Sequence, residues 1–162
     1  MIPIGSLALT AYGTDTVDVA GTVYVASIDI TTPKLVGTLS GLTGTTAPTT
    51  DKQLFSLYDS TGNLLASSAI AGLEAATADI FFDQAIALVR GVAGTKILLL
   101  PGRYFVGNQL NGTTTSMQKI AIATGYQHLV GNSRTGTFGA LPTITVPTTL
   151  TDVASPVMCI AG

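Results

Sequence analysis

The chain has very little charge: lysine, arginine, aspartate and glutamate make up 10% of its 162 residues, against about 25% in an ordinary soluble domain. A free-standing soluble protein keeps its neighbours apart largely through surface charge. With only 7 basic and 9 acidic residues, this chain suits a permanent assembly. Lys34, Lys52, Arg90, Arg103 and Arg134 are scattered along the sequence, so no basic stripe is present to track a phosphate backbone, which argues against nucleic acid as a partner.

The residues that carry chemistry are also scarce. There is no tryptophan, one histidine and one cysteine. A lone Cys159 excludes an internal disulfide and a cysteine-based zinc cage, and in "PVMCIAG" it is expected to be a small buried apolar residue. His128, the sole histidine, lies in a Gly-rich tract with no G-x-S-x-G elbow to supply a nucleophile. Asp79 and Asp83 in "ADIFFDQA" are expected on one strand face with Phe81 between them, but four residues of strand span roughly 13 Å, too far for a catalytic pair unless the strand bends. "GVAGTK" at 91–96 lacks the Walker spacing. "DSTGN" at 59–63 lacks the alternating ligands and distal Glu of a calcium loop. No enzyme, metal or cofactor is therefore expected.

Long apolar runs are missing too. Ile97 to Leu100 is four residues long, far short of the 18 or so that a helical bilayer span needs, so no membrane span is expected. "MIPIGSLALTAYG" lacks the basic start of a signal peptide and is interrupted by Pro3 and Gly5, so the product is expected to stay where it is made until it assembles. No repeat of 20 to 50 residues and no sustained heptads occur.

What the chain does have is 46% apolar residues, 18 glycines and abundant threonine, arranged with a two-residue period. Residues 22–30 show it best, with Val23, Val25 and Ser27 on one face and Tyr24, Ala26 and Ile28 on the other. Short strands bounded by Gly, Pro, Asn and Asp are expected at 5–11, 16–20, 22–30, 34–41, 52–59, 63–69, 78–84, 96–100, 103–110, 117–124, 142–147 and 156–161. A chain of this length buries roughly 70% of its unfolded surface, enough for one domain over residues 1–162 without a staple. The expected class is all-β, a two-sheet sandwich of short antiparallel strands.

Several segments punctuate that pattern. In "DQAIALVRGVAG", Ile86, Val89 and Arg90 fit a helical turn capped by Gly91, while Ile86, Leu88 and Arg90 alternate equally well. "LYDSTGNLL" at 57–65 is expected to be a hairpin in which Asp59 and Ser60 bond the turn's own amides and Gly62-Asn63 takes positive φ. Asn111-Gly112 is expected to be a hairpin tip with positive φ at both residues. From Tyr126 to Thr151, glycines and prolines allow only short strands, so this Gly/Pro-rich ribbon is expected to lie over another surface. Residues 1–12 are expected to form an extended N-terminal arm whose Ile2, Ile4, Leu7 and Leu9 dock on a neighbour, or else an edge strand of the chain's own sheet.

"LFSLYDSTGNLLASSAIAG", then "LLLPGRYFVGNQLNGTT", then "GTFGALPTITVPTTLTDVASPVMCIAG" together resemble the small β-sandwich virion structural proteins of tailed bacteriophages, of the head decoration or cement type. The resemblance covers roughly residues 20 to 162 and rests on turns and strands, with no catalytic residues to carry over. It implies a jelly-roll-like sandwich, made in the host cytoplasm and placed on the capsid exterior. There it would act as a homotrimer that binds the major capsid protein lattice and stabilises the head. The residues singled out as assembly contacts are Ile2, Ile4, Leu7 and Leu9 in the arm and Tyr126, His128 and Phe138 in the ribbon. The alternative is a tail or head-fibre module that binds a host surface glycan through Tyr126, Gln127, His128 and Asn132.

Overall fold

A computed structural model of the chain describes residues 16–17, 19–46, 51–75, 77–114, 116–117, 119–120, 129–150 and 155–162. The expected strand at 5–11, the arm residues Ile2, Ile4, Leu7 and Leu9, and the ribbon residues Tyr126 and His128 lie outside them. Among the described residues there is no helix, and every ladder is antiparallel, so the all-β expectation holds.

The chain runs through β1 (Thr16–Val17), β2 (Thr22–Ile30), β3 (Lys34–Val36), β4 (Thr38–Leu42), β5 (Lys52–Tyr58), β6 (Leu64–Ser67), β7 (Leu73–Glu74), β8 (Phe81–Ala85) and β9 (Leu88–Val89). It continues through β10 (Val92–Ala93), β11 (Ile97–Leu99), β12 (Gly102–Leu110), β13 (Ser116–Met117), β14 (Lys119–Ile120), β15 (Val130–Arg134), β16 (Ser155–Pro156) and β17 (Met158–Ala161). A central sheet has the order β10-β9-β6-β5-β12-β2-β15, with β7 also on β5. Two smaller sheets, β17-β4-β8 and β11-β3, form a second layer, and β1-β13 and β14-β16 are two-residue pairs.

The two-residue period of β2, β5 and β12 sends alternate side chains to opposite faces of the central sheet, and here both faces are buried. On the first face Ile30, Phe55, Leu57, Ala66 and Val106 meet Val36, Leu39, Ile97, Leu99 and Ile160 of the second layer. The rings of Phe55 and Phe82 pack 6.5 Å apart. On the second face Val23, Val25, Tyr58 and Phe105 are covered by Leu129, Leu141, Ile144 and Val146 of the ribbon. Fully burying one such aliphatic side chain is worth about 1.5 to 3 kcal/mol, so each layer contributes on a scale that matters for the whole domain.

Three local expectations need correction. Residues 142–147 do not form a strand. Pro142 and Pro147 have no N–H for a ladder, and the segment instead lies extended over the central sheet. The helical turn in "DQAIALVRGVAG" is also absent, because its amides are taken by two different sheets. Ile86 N–H donates to Gly37, Ala87 N–H to Ser67 and Arg90 N–H to Leu65, so the segment crosses from the second layer to the central sheet. It then turns on Arg90 (φ 51°) and Gly91 (φ 80°) between the paired Val89 and Val92, which is the two-residue hairpin that needs positive φ at both positions.

Asn111-Gly112 is the third correction, since neither residue is among those with positive φ. Asn111 closes the loop with its side chain: its Oδ1 accepts the Lys52 N–H at 2.6 Å and its own N–H donates to the Lys52 carbonyl. The Asp51 carboxylate fills the space beside Gly112 and accepts the Thr114 N–H at 2.8 Å.

Candidate functional site

The Asp59–Asn63 turn is a polar cluster whose side chains bond one another and the turn's own backbone. Asp59 Oδ1 accepts from Thr61 N–H at 2.8 Å, Thr61 Oγ1 at 2.7 Å and Asn63 N–H at 2.9 Å, and Oδ2 accepts from Asn63 Nδ2 at 3.1 Å. The slight burial of the carboxylate raises its pKa, but the bonds from Thr61 and Asn63 outweigh that and hold it below the ordinary value. The carboxylate thus spends most of its hydrogen-bonding capacity inside the turn.

The turn has a second task. Gly62 sits at φ 89°, a left-handed conformation that glycine adopts without strain. Its carbonyl accepts the Ile144 N–H at 3.0 Å, and a Cβ at this position would overlap the Ile144 carbonyl oxygen. The hairpin tip is thus where the ribbon is pinned. Of the Gly62-Asn63 pair, only Gly62 takes positive φ.

A buried glutamine pins the ribbon further along. Gln109 Nε2 donates to the Gly21 carbonyl at 3.1 Å and is shared with those of Thr137 at 3.2 Å and Ala140 at 3.4 Å, while its Oε1 accepts the Gly139 N–H at 2.9 Å. Phe138, singled out as an assembly contact, is half-buried with its ring against Gly72 of β7's approach. Leu129, Leu141, Ile144 and Val146 turn inward to the sheet.

Three groups have the chemistry to be reactive. Cys159, Ser40 and Asp83 lie side by side across β17, β4 and β8, and Ser40 Oγ donates to Asp83 Oδ1. Burial pushes the Cys159 thiol up; the hydrogen bond with Ser40 opposes this in part, and the Asp83 charge adds a smaller rise. A nucleophilic cysteine needs the opposite environment, one that favours the thiolate. The row therefore acts as a cross-strand polar contact. Tyr58 is fully buried and burial pushes its hydroxyl up to about 12, so it stays protonated. Its ring lies over Gly107, where a Cβ would come within 3.1 Å of Tyr58 and closer still to Val23.

Asp79 and Asp83 do not share a strand face. β8 begins at Phe81, and Asp79 precedes it at φ 55°, so the strand ends before the first carboxylate. Among the described residues no group of three or more His, Cys, Asp or Glu is placed to hold a metal ion, and no helix is long and apolar enough to cross a membrane. Asn132, part of the glycan alternative, is exposed on β15, while Tyr126, Gln127 and His128 fall outside the described residues.

The feature that sequence reasoning missed is apolar and on the outside. In the β3-β11 ladder Leu35 stands directly opposite Leu98. Val36, Ile97 and Leu99 point into the core, so Leu35, Leu98 and then Leu100 point out, with 50%, 59% and 59% of their surface exposed. The Tyr104 hydroxyl donates to the Leu100 carbonyl at 2.9 Å and fixes the end of the segment. The available signal was that "ILLL" is apolar at both parities, so a strand there presents leucine on both faces.

In comparisons with known proteins, the chain matches no family model, no curated protein and no solved structure.

Proposed function

We propose that the chain is a virion structural protein of a tailed bacteriophage, a capsid decoration or cement protein that stabilises the head by binding the major capsid protein lattice, as a homotrimer on the capsid exterior. The observation that carries this reading is a sandwich that has completed its own core on both faces of the central sheet and still presents large apolar side chains. Leu35, Leu98 and Leu100 are more than decoration on a surface with so few charges. Burial on a lattice would then do the work, through interfaces of roughly 800 Å² per partner repeated over every copy of the shell. Stabilisation by many small contacts needs no reactive group. The polar clusters of this chain serve its own turns and ladders.

Copy number per particle tests the reading, by gel densitometry or by reconstruction of the virion that carries the chain. A cement protein is present in proportion to the capsid lattice. A copy number matching the tail, or a chain absent from purified particles, would overturn it.

A further inference from the structure

The loop that closes β12 onto β5 holds an Asn-Gly pair. Of the four asparagines, Asn63, Asn108, Asn111 and Asn132, only Asn111 precedes a glycine. The order matters chemically, because the carboxamide carbon of asparagine can be attacked by the amide nitrogen of the next residue, and a glycine there has no Cβ to hinder the approach. The other three are poorly placed for this reaction. Asn108 and Asn132 lie inside β12 and β15, where the ladders hold the backbone extended. Asn63 Nδ2 is held by Asp59 Oδ2 at 3.1 Å and Thr61 Oγ1 at 2.8 Å, with Leu64 following.

The fold restrains the Asn111-Gly112 pair through β5. Asn111 is exposed and Gly112 half-buried. Asn111 Oδ1 accepts the Lys52 N–H at 2.6 Å, and the Asn111 N–H donates to the Lys52 carbonyl at 3.1 Å, so the carboxamide takes the place in the ladder that a main-chain carbonyl usually fills. The buried Asp51 carboxylate sits against Gly112 and accepts the Thr114 N–H at 2.8 Å. Ring closure needs the reacting atoms about 3 to 3.5 Å apart and aligned. A carboxamide tied to the neighbouring strand, followed by a glycine packed on Asp51, reaches that alignment when this end of the sheet opens.

We propose that Asn111 is a self-modification site, deamidated on local opening of the β5–β12 end and protected while the Lys52 bond is closed. The Gly112 nitrogen attacks Asn111 Cγ, its proton passes through water to Nδ2, and Nδ2 leaves as ammonia. Water then opens the resulting succinimide to aspartate or isoaspartate. One water enters and one ammonia leaves, with no change of oxidation state. Either product brings a second carboxylate close to Asp51, and the isoaspartyl one also routes the backbone through the former side chain, so both loosen the end that opened. This chemistry belongs to the chain by itself and does not depend on the decoration reading.

The test is peptide mapping of the full chain after incubation at mildly alkaline pH, folded in buffer and unfolded in concentrated urea, with enzymatic detection of isoaspartate. Conversion at Asn111 ahead of the other three asparagines is expected in both conditions, at least tenfold slower in the folded chain. Asp51→Ala frees the loop around Gly112 and should raise the folded rate severalfold, with faster exchange of the Lys52 amide proton and an unchanged rate in urea. Gly112→Ala, read in urea where folding plays no part, should slow conversion at least fivefold. Earlier conversion at another asparagine, equal rates in the folded and unfolded chain, or a folded Asp51→Ala chain that converts no faster than its parent would each overturn the proposal. So would a Gly112→Ala chain that converts in urea as fast as its parent.

Discussion

The two faces of the central sheet are both buried, but by different means. The first is covered by strands, and its contacts are between branched aliphatic and aromatic side chains such as Phe55, Leu57, Val36 and Leu39. The second is covered by a ribbon without a ladder over residues 141–148, held by Gln109, by the close approach at Gly62 and by three apolar side chains, Leu141, Ile144 and Val146. A strand layer is held by many interchangeable contacts. A ribbon that cannot form a ladder must satisfy its backbone through a few specific groups, so its attachment is concentrated in single residues.

That difference can be broken or sharpened by substitution. The largest effect is expected on the strand-covered face, where Phe55→Ala leaves a cavity in a fully buried site and costs about 4 kcal/mol. The whole transition should shift in equilibrium denaturation. Gln109→Leu comes next, at roughly 2 kcal/mol, because it strands the Gly139 amide and takes a donor from the Ala140 carbonyl, while the Gly21 and Thr137 carbonyls keep Thr135 and Ala140 as donors. There the ribbon should open first, giving new cleavage within 135–150 under a broad-specificity protease while the rest of the chain stays resistant. If both variants shift one common transition and no early cleavage is seen, the two faces do not differ in the way described.

Gly62→Ala is expected to cost about 1 to 2 kcal/mol, through strain at positive φ and through displacement of Ile144. Faster hydrogen exchange at the Ile144 amide, with the Phe55 amide unchanged, would place the loss on the ribbon side. Asp59→Ala has the smallest effect, about 1 kcal/mol from lost turn bonds. The folded pKa of Asp59 lies below its unfolded value, so its contribution is present above the ordinary carboxylate pKa and is lost as pH falls through the lowered folded one. The variant should show a smaller loss of stability in that acidic window, and an acid limb identical to that of the parent chain would remove the assignment.

Much of this fold was legible from alternation and punctuation. Residues 22–30 and 52–59 read as strands because apolar and β-branched residues alternate along them, and the strands run Thr22–Ile30 and Lys52–Tyr58; Asp59 read as a turn residue because its side chain can reach amides two and four residues on. Two of the misreadings share one cause, namely bonds made far away in sequence. Ile86 to Arg90 fits a helix locally, yet its amides find Gly37, Ser67 and Leu65. Asn111 fits a two-residue turn locally, yet its side chain closes on Lys52.

The sequence by itself determined the class, the strand faces and the turn at 59–63, because a two-residue period and hydrogen bonds within four residues act before any long-range contact forms. Only the tertiary structure decided which surface each face meets. It placed Ile144 on Gly62 and Gln109 under the ribbon, and it divided Ile97 to Leu100 between a core and an exposed patch. Those outcomes depend on pairings such as Leu35 with Leu98, between segments far apart in the chain, whose choice rests on the packing of the whole rather than on any local preference.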